Sequence, residues 1–93
     1  MARDTAYATE IATATFSYTG EDEDEVRIER IFVKQYSQVE LRFSWWRKGR
    51  LLPRPMDLPP QDFLTLVERG IEAGVFTDGE IEGLANIIAR HRG

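Results

Sequence analysis

The chain has 93 residues, no cysteine, a single histidine and a formal charge of −4, with 42% hydrophobic residues and ten aromatics. That length suits one domain (1–93) with a two-layer core, and falls short of an enzyme with a deep cleft and its own lid. The missing thiols exclude a disulfide framework and thiolate metal centres. No signal-like apolar run opens the chain and nowhere do eighteen apolar residues run together, so the expectation is a soluble, cytoplasmic protein without a membrane partner.

The charge is unevenly spread. Residues 1–25 carry one Arg against seven acids, residues 26–54 eight Lys or Arg against two acids, and residues 55–93 three Arg against seven acids. The middle third has a strong positive excess. Charges more than about 10 Å away are largely screened at ~0.1 M salt, so this local potential, rather than the whole-chain sum, decides what docks there.

In chain order, residues 1–9 carry few apolar side chains and no capping signal, and read as a flexible leader. Residues 11–18, IATATFSY, place Ala12, Ala14, Phe16 and Tyr18 on one parity and Ile11, Thr13, Thr15 and Ser17 on the other, which predicts a strand near 10–19 ended by Gly20. The five acids 21–25 repel one another and predict a solvated loop; their spacing is not that of a calcium loop. In 26–36, VRIERIFVKQY, Val26 and Ile28 sit on one parity and Ile31 and Val33 on the other, so a bent strand with a bulge near Glu29 or Arg30 is expected. With Ile31 and Val33 inward, Arg30, Phe32, Lys34 and Tyr36 face out together, and Ser37-Gln38 forms the next turn.

Residues 39–47, VELRFSWWR, alternate Val39, Leu41, Phe43 and Trp45 with Glu40, Arg42, Ser44 and Trp46, the period-two pattern of a strand with one face in a core. Parity then puts Trp46 outside. Lys48-Gly49 supplies a hairpin turn with a basic tip of Arg47, Lys48 and Arg50, and a fourth strand is expected near 50–54, stopped by Pro53 and Pro55. The period changes after Leu58. Pro59 and Pro60 begin a helix near 60–73 carrying Phe63, Leu66, Val67 and Ile71, with Gly74 as its stop. Thr77 and Glu80 form a capping box for a second helix near 78–91 with a stripe of Ile81, Leu84, Ala85 and Ile88. The predicted fold is α+β: a four-stranded antiparallel meander over 10–54 packed on a C-terminal helical hairpin, 58–92.

Chemistry for catalysis is missing from the sequence. The only histidine, His91, stands two residues from the end, no phosphate-binding glycine loop occurs, and the carboxylates cluster in the acidic run instead of pairing across a pocket. No enzyme, cofactor or metal site is predicted.

The run from Val39 to Ile71 resembles the transcriptional coactivator family known as positive cofactor four and its bacterial and phage relatives. The likeness rests on the strand Val39, Glu40, Leu41, Arg42 leading to Trp45, on the glycine-containing hairpin that follows, and on a helix start with Leu58, Pro60, Phe63 and Leu66. The resemblance implies a curved four-stranded sheet backed by a helix, dimerisation through the helix region, and binding of single-stranded or melted DNA by strand Arg, Lys and aromatic residues. It places Arg42 and Trp45 at the family's DNA-contact positions and Arg54 near its basic residue before the helix. The chain departs from the family in having Arg54-Pro55-Met56 in place of a Lys-Gly pair and in adding the segment 77–92.

The resulting expectation is a homodimer that binds single-stranded DNA, with RNA as an alternative, in transcription or in DNA replication or recombination, with the transcription or replication machinery as a further expected partner. The predicted interface is Arg30, Lys34, Arg42, Arg47, Lys48, Arg50 and Arg54 on phosphates, with Phe32, Tyr36 and Trp45 or Trp46 under bases. The rival expectation is a small regulator that docks on another protein through an exposed Trp46 hairpin, since a Trp flanked by Arg also suits a protein hot spot.

Overall fold

A computed structural model describes residues 3–18 and 24–92. The order of elements is β1 (Ala8–Ser17), β2 (Asp24–Val33), β3 (Gln38–Arg47), β4 (Arg50–Leu51), β5 (Met56–Leu58), α1 (Pro60–Glu72) and α2 (Asp78–Arg92). The architecture is α+β. β1, β2, β3 and β4 form the antiparallel meander in sequence order, and β5 is a fifth strand that also pairs with β3. The chain divides into two compact units, Met1–Phe63 and Leu64–Gly93.

Local chemistry explains the connections. Lys48 and Gly49 both have positive φ, 50° and 78°, the pair of left-handed residues that lets a two-residue loop follow the strands' twist. The turn before β3 covers 34–37, slightly earlier than expected, with Ser37 at φ 48°.

The fourth strand differs from expectation. Instead of one strand over 50–54, two short pieces pair with β3: Leu51 opposite Trp46, and, after an interruption, Met56, Asp57 and Leu58 opposite Phe43, Arg42 and Leu41. Beyond Leu52, whose N–H still bonds the Trp45 carbonyl at 2.8 Å, the chain leaves the ladder because Pro53 and Pro55 cannot donate to it.

The bulge expected in β2 lies in its neighbour. β2 and β3 pair without a break from Asp24 opposite Arg47 to Val33 opposite Gln38. The register of β1 on β2 instead shifts between Glu10 and Ala12, so that Ile11 is the extra residue. An unbroken β2 simply presents Val26 and Ile28 on one face and Ile31 and Val33 on the other.

The two faces have opposite characters. One holds Ala12, Ala14, Phe16, Val26, Ile28, Phe32, Leu41, Phe43 and Trp45 and is apolar. The other holds Glu10, Arg27, Glu29, Glu40, Arg42, Ser44 and Trp46, together with the small core of Ala8, Ile31 and Val33. Residues 3–7, read as a leader, are folded against the polar face: Asp4 bridges Thr9, and Lys34 donates from its backbone N–H to the Tyr7 carbonyl at 3.0 Å. Their partners are distant in sequence, so local composition does not reveal the attachment. The acidic run is also shorter as a loop than expected, since Asp24 and Glu25 already belong to β2; residues 21–23 lie outside the described residues.

In the second unit, the helix stop and start follow their local signals. At the end of α1, Gly74 has φ 77°; its N–H bonds the Ile71 carbonyl and the Val75 N–H bonds the Gly70 carbonyl, the paired bonds of a left-handed C-terminal cap. The Thr77 hydroxyl accepts from the Glu80 N–H at 3.2 Å and the Glu80 carboxylate accepts from the Thr77 N–H at 2.9 Å, the reciprocal box that opens α2.

Candidate nucleic-acid interface

Alternation along β3 places Val39, Leu41, Phe43 and Trp45 on one face as expected, but burial falls on the other face. Trp46 is 6% exposed and Trp45 is 47% exposed, the reverse of the parity reading. The reason is tertiary. The side of the sheet carrying Trp46 is covered by the segment 3–8, and the Trp46 indole N–H donates to the Ser44 hydroxyl at 2.8 Å. The Arg27 and Arg3 guanidinium groups lie 3.8 Å and 4.8 Å from its ring centroid, contacts that favour a cation over an aromatic face. A hairpin anchored on an exposed Trp46 is therefore not what the molecule presents.

The cations of the polar face are paired with its own acids. Glu29, 1% exposed, accepts from Arg3 at 3.2 Å and from the Ser44 hydroxyl at 3.3 Å. Arg42 donates two bonds to Asp57, at 2.7 and 2.9 Å, and the Tyr7 hydroxyl donates to the same carboxylate at 3.2 Å. The Asp57 hydrogen bond raises the Arg42 pKa. Burial and then the bond to Asp57 raise that of the Tyr7 phenol. Among the described residues no buried side-chain polar atom lacks a partner, as a low-dielectric environment requires.

The apolar face is open. Phe16, Tyr18 and Trp45 are each roughly half exposed and touch in series: Tyr18 stacks on Trp45 at 6.0 Å and 15°, and Phe16 meets Tyr18 edge-on at 5.1 Å. Phe32 is exposed on the same face, beyond Arg30 on β2, while Phe43 is half-buried against Phe63 of α1, ring centroids 5.5 Å apart. The Trp45 indole N–H donates to Asp24 at 2.9 Å, and Arg47 donates to both oxygens of that carboxylate. The Arg47 bond, then the Trp45 bond, holds the Asp24 carboxyl below the ordinary value of 3.8.

The seven cations predicted to hold phosphates fall into two groups. Lys34 is bound to Asp4 at 2.8 Å and donates to the Thr5 carbonyl at 2.6 Å, Arg42 is committed to Asp57, and Arg47 to Asp24. Arg30, Lys48, Arg50 and Arg54 are exposed and make no ion pair among the described residues. Arg30 belongs to the apolar face, Lys48 and Arg50 to the hairpin tip, and Arg54 to the 52–55 bulge. Tyr36 stands apart in the 34–37 turn, exposed.

Phe16 and Tyr18, which the sequence reading left in a strand without a role, complete the aromatic row. Their shared parity with Ala12 and Ala14 was the signal. Asp57, Glu29 and Arg3 went unnoticed because each acts only through a partner far along the chain.

Among the described residues no group of three or more His, Asp or Glu is placed to hold a metal ion, and no helix is long and apolar enough to cross a membrane. Fold and surface define an α+β chain with an open aromatic sheet face. Comparison with protein-family models, with curated proteins and with solved structures finds no match.

Proposed function

We propose that the protein binds single-stranded nucleic acid, DNA in the first instance, across the apolar face of its sheet, with little sequence preference. The observation that carries this reading is the exposed row Phe16, Tyr18 and Trp45 on the face where Arg30 makes no ion pair among the described residues. Bases stack on such rings through the π-face they all share, and unpaired cations beside the rings meet the phosphates. Arg30, Lys48, Arg50 and Arg54 serve the backbone; Arg42 serves the fold. The likeness of Val39 to Ile71 to the positive cofactor four family supports the same reading and points to a role in transcription or in DNA replication or recombination.

The proposal includes a homodimer. Leu64, Leu66 and Ile71 of α1 and Leu84, Ile87 and Ile88 of α2 are exposed in the single chain, an apolar area that a second copy would remove from water. Sedimentation at micromolar concentration is expected to give twice the chain mass of 10.7 kDa; a single-chain species would remove this part of the proposal.

The test of binding is an anisotropy titration of labelled oligo-dT at two salt concentrations. Each phosphate contact on a single strand contributes about 0.7 to the log–log salt slope, so four contacts lower affinity about 50-fold between roughly 50 and 200 mM salt. Absence of binding at the lower salt, or binding indifferent to salt, rules the reading out.

A further inference from the structure

The outer edge of β3 is paired at both ends, with the Leu52 N–H still bonded to the Trp45 carbonyl at 2.8 Å, and the chain leaves it between Pro53 and Pro55. Leu51 pairs with Trp46 and Met56 with Phe43, leaving the four residues 52–55 opposite Ser44 and Trp45. At the centre of that bulge Arg54 has φ 65°, a conformation that residues with side chains rarely adopt. Prolines on both sides fix the chain around it. Under the bulge, on the apolar face, lies a groove of about 570 Å³ lined by Phe16, Phe43, Trp45 and Met56 among others, with Arg54 at its margin.

We propose that this groove is a base-binding subsite, in which one nucleobase of a bound single strand inserts among Phe16, Phe43, Trp45 and Met56 while its phosphate is held by Arg54. The proposal rests on the single-strand reading above and deepens it: the exposed rings give stacking anywhere along the face, whereas the groove gives one defined position. Its volume is in the range of sites that hold small ligands. The occupant must combine a flat apolar body with an anion a few bonds away. An aliphatic group would leave the Arg54 charge unanswered, and a bare phosphate would leave the apolar lining wet. A nucleotide satisfies both requirements.

The groove also explains why base identity should matter little. Thr15, Arg27 and Ser44, which border it, belong to the polar face by register. Arg54 is left as the charged side chain at the groove, and it addresses phosphate. The other lining side chains on the apolar face are apolar or aromatic, so the subsite requires a base without choosing one.

The experiment compares oligo-dT with a same-length oligomer of abasic deoxyribose phosphate, read by anisotropy and by quenching of Trp45 emission, with Trp45→Phe as the control for the signal. The parent should bind oligo-dT at least about tenfold more tightly than the abasic strand, since the one base stacked in the groove alone contributes about tenfold. Ala14→Phe, which fills the groove from an exposed strand position without changing charge, should lose that tenfold while keeping abasic binding and the salt slope. Met56→Glu should do the same and replaces Ala14→Phe if that variant misfolds. Parental affinity for oligo-dT in the folded groove variants overturns the subsite and leaves the single-strand reading standing. Equal binding of oligo-dT and the abasic strand by the parent overturns the subsite and the stacking reading together, as does no binding of either strand.

Discussion

The polar and apolar faces are built from the same three long strands, yet Arg42 on one and Arg30 on the other are used in opposite ways, although Arg47, on the apolar face by register, is paired with Asp24. On the polar face Arg3, Arg27 and Arg42 each meet a carboxylate, at 3.2, 2.6 and 2.7 Å, and two of them also lie over Trp46. On the apolar face Arg30 makes no ion pair among the described residues, and its register neighbours are Ala12 and Leu41. A guanidinium that is desolvated and already bonded to a carboxylate has little left to offer a phosphate, while an exposed unpaired one keeps its full field. Counting Lys and Arg along a strand therefore overstates a binding site unless the acids that share each face are counted too.

The sharpest way to break the comparison is to truncate the two neighbouring tryptophans. Trp46→Ala should cost about 3–5 kcal/mol of stability, the range for removing a buried indole, read as a lowered denaturation midpoint. Trp45→Ala should leave stability nearly unchanged and instead weaken oligo-dT binding by ~1–3 kcal/mol. If the two effects are interchanged, the faces have been assigned the wrong way round.

Next in size is Asp57→Ala. It strands the Arg42 guanidinium, whose side chain is 11% exposed, and removes the acceptor of the Tyr7 hydroxyl, so a loss of about 2–3 kcal/mol is expected in chemical denaturation. A variant as stable as the parent would mean that the ion pair does not hold the N-terminal segment and β5 to the sheet. A smaller effect separates Arg30 from Arg42. Arg30→Ala should flatten the oligo-dT salt slope by about 0.7 with stability unaltered, whereas Arg42→Ala should lower stability and leave the slope alone.

Acid gives the smallest and most local effect. Asp4, held down by the hydrogen bond from Lys34, and Asp24, held down by Arg47 and then Trp45, both titrate below the ordinary value of 3.8. In that window the unfolded chain binds more protons than the folded one, so these two groups contribute stability above about pH 4 that is lost as pH falls through their folded values. Trp45 emission, followed in acid with Asp24→Asn as reference, should titrate below 3.8; an unshifted midpoint would show that Asp24 is not bonded as described.

Much of the molecule was legible because its signals are short in range. The Lys48-Gly49 turn, the Gly74 cap, the Thr77–Glu80 box and the start of α1 at Pro60 depend on a few neighbouring residues and their φ preferences, which any sequence displays. The alternation in β3 likewise showed which side chains share a face. The 56–58 strand was not legible, because three residues behind two prolines give no periodic pattern. The place of the bulge in β1 was hidden too, since a parity change in β2 can be met by a kink in either partner.

The sequence by itself determined the α+β class, the stop of α1 and start of α2, and which side chains of β3 share a face, since these follow from backbone preferences and a period of two. Only the tertiary structure decided which face is covered. Alternation is symmetric with respect to that choice; it was broken by Arg3, Tyr7 and Ala8 meeting Glu29, Asp57 and Val33 across the fold, contacts between residues many positions apart. Those contacts bury Trp46 and occupy Arg42, while Trp45 is exposed and Arg30 and Arg54 make no ion pair among the described residues.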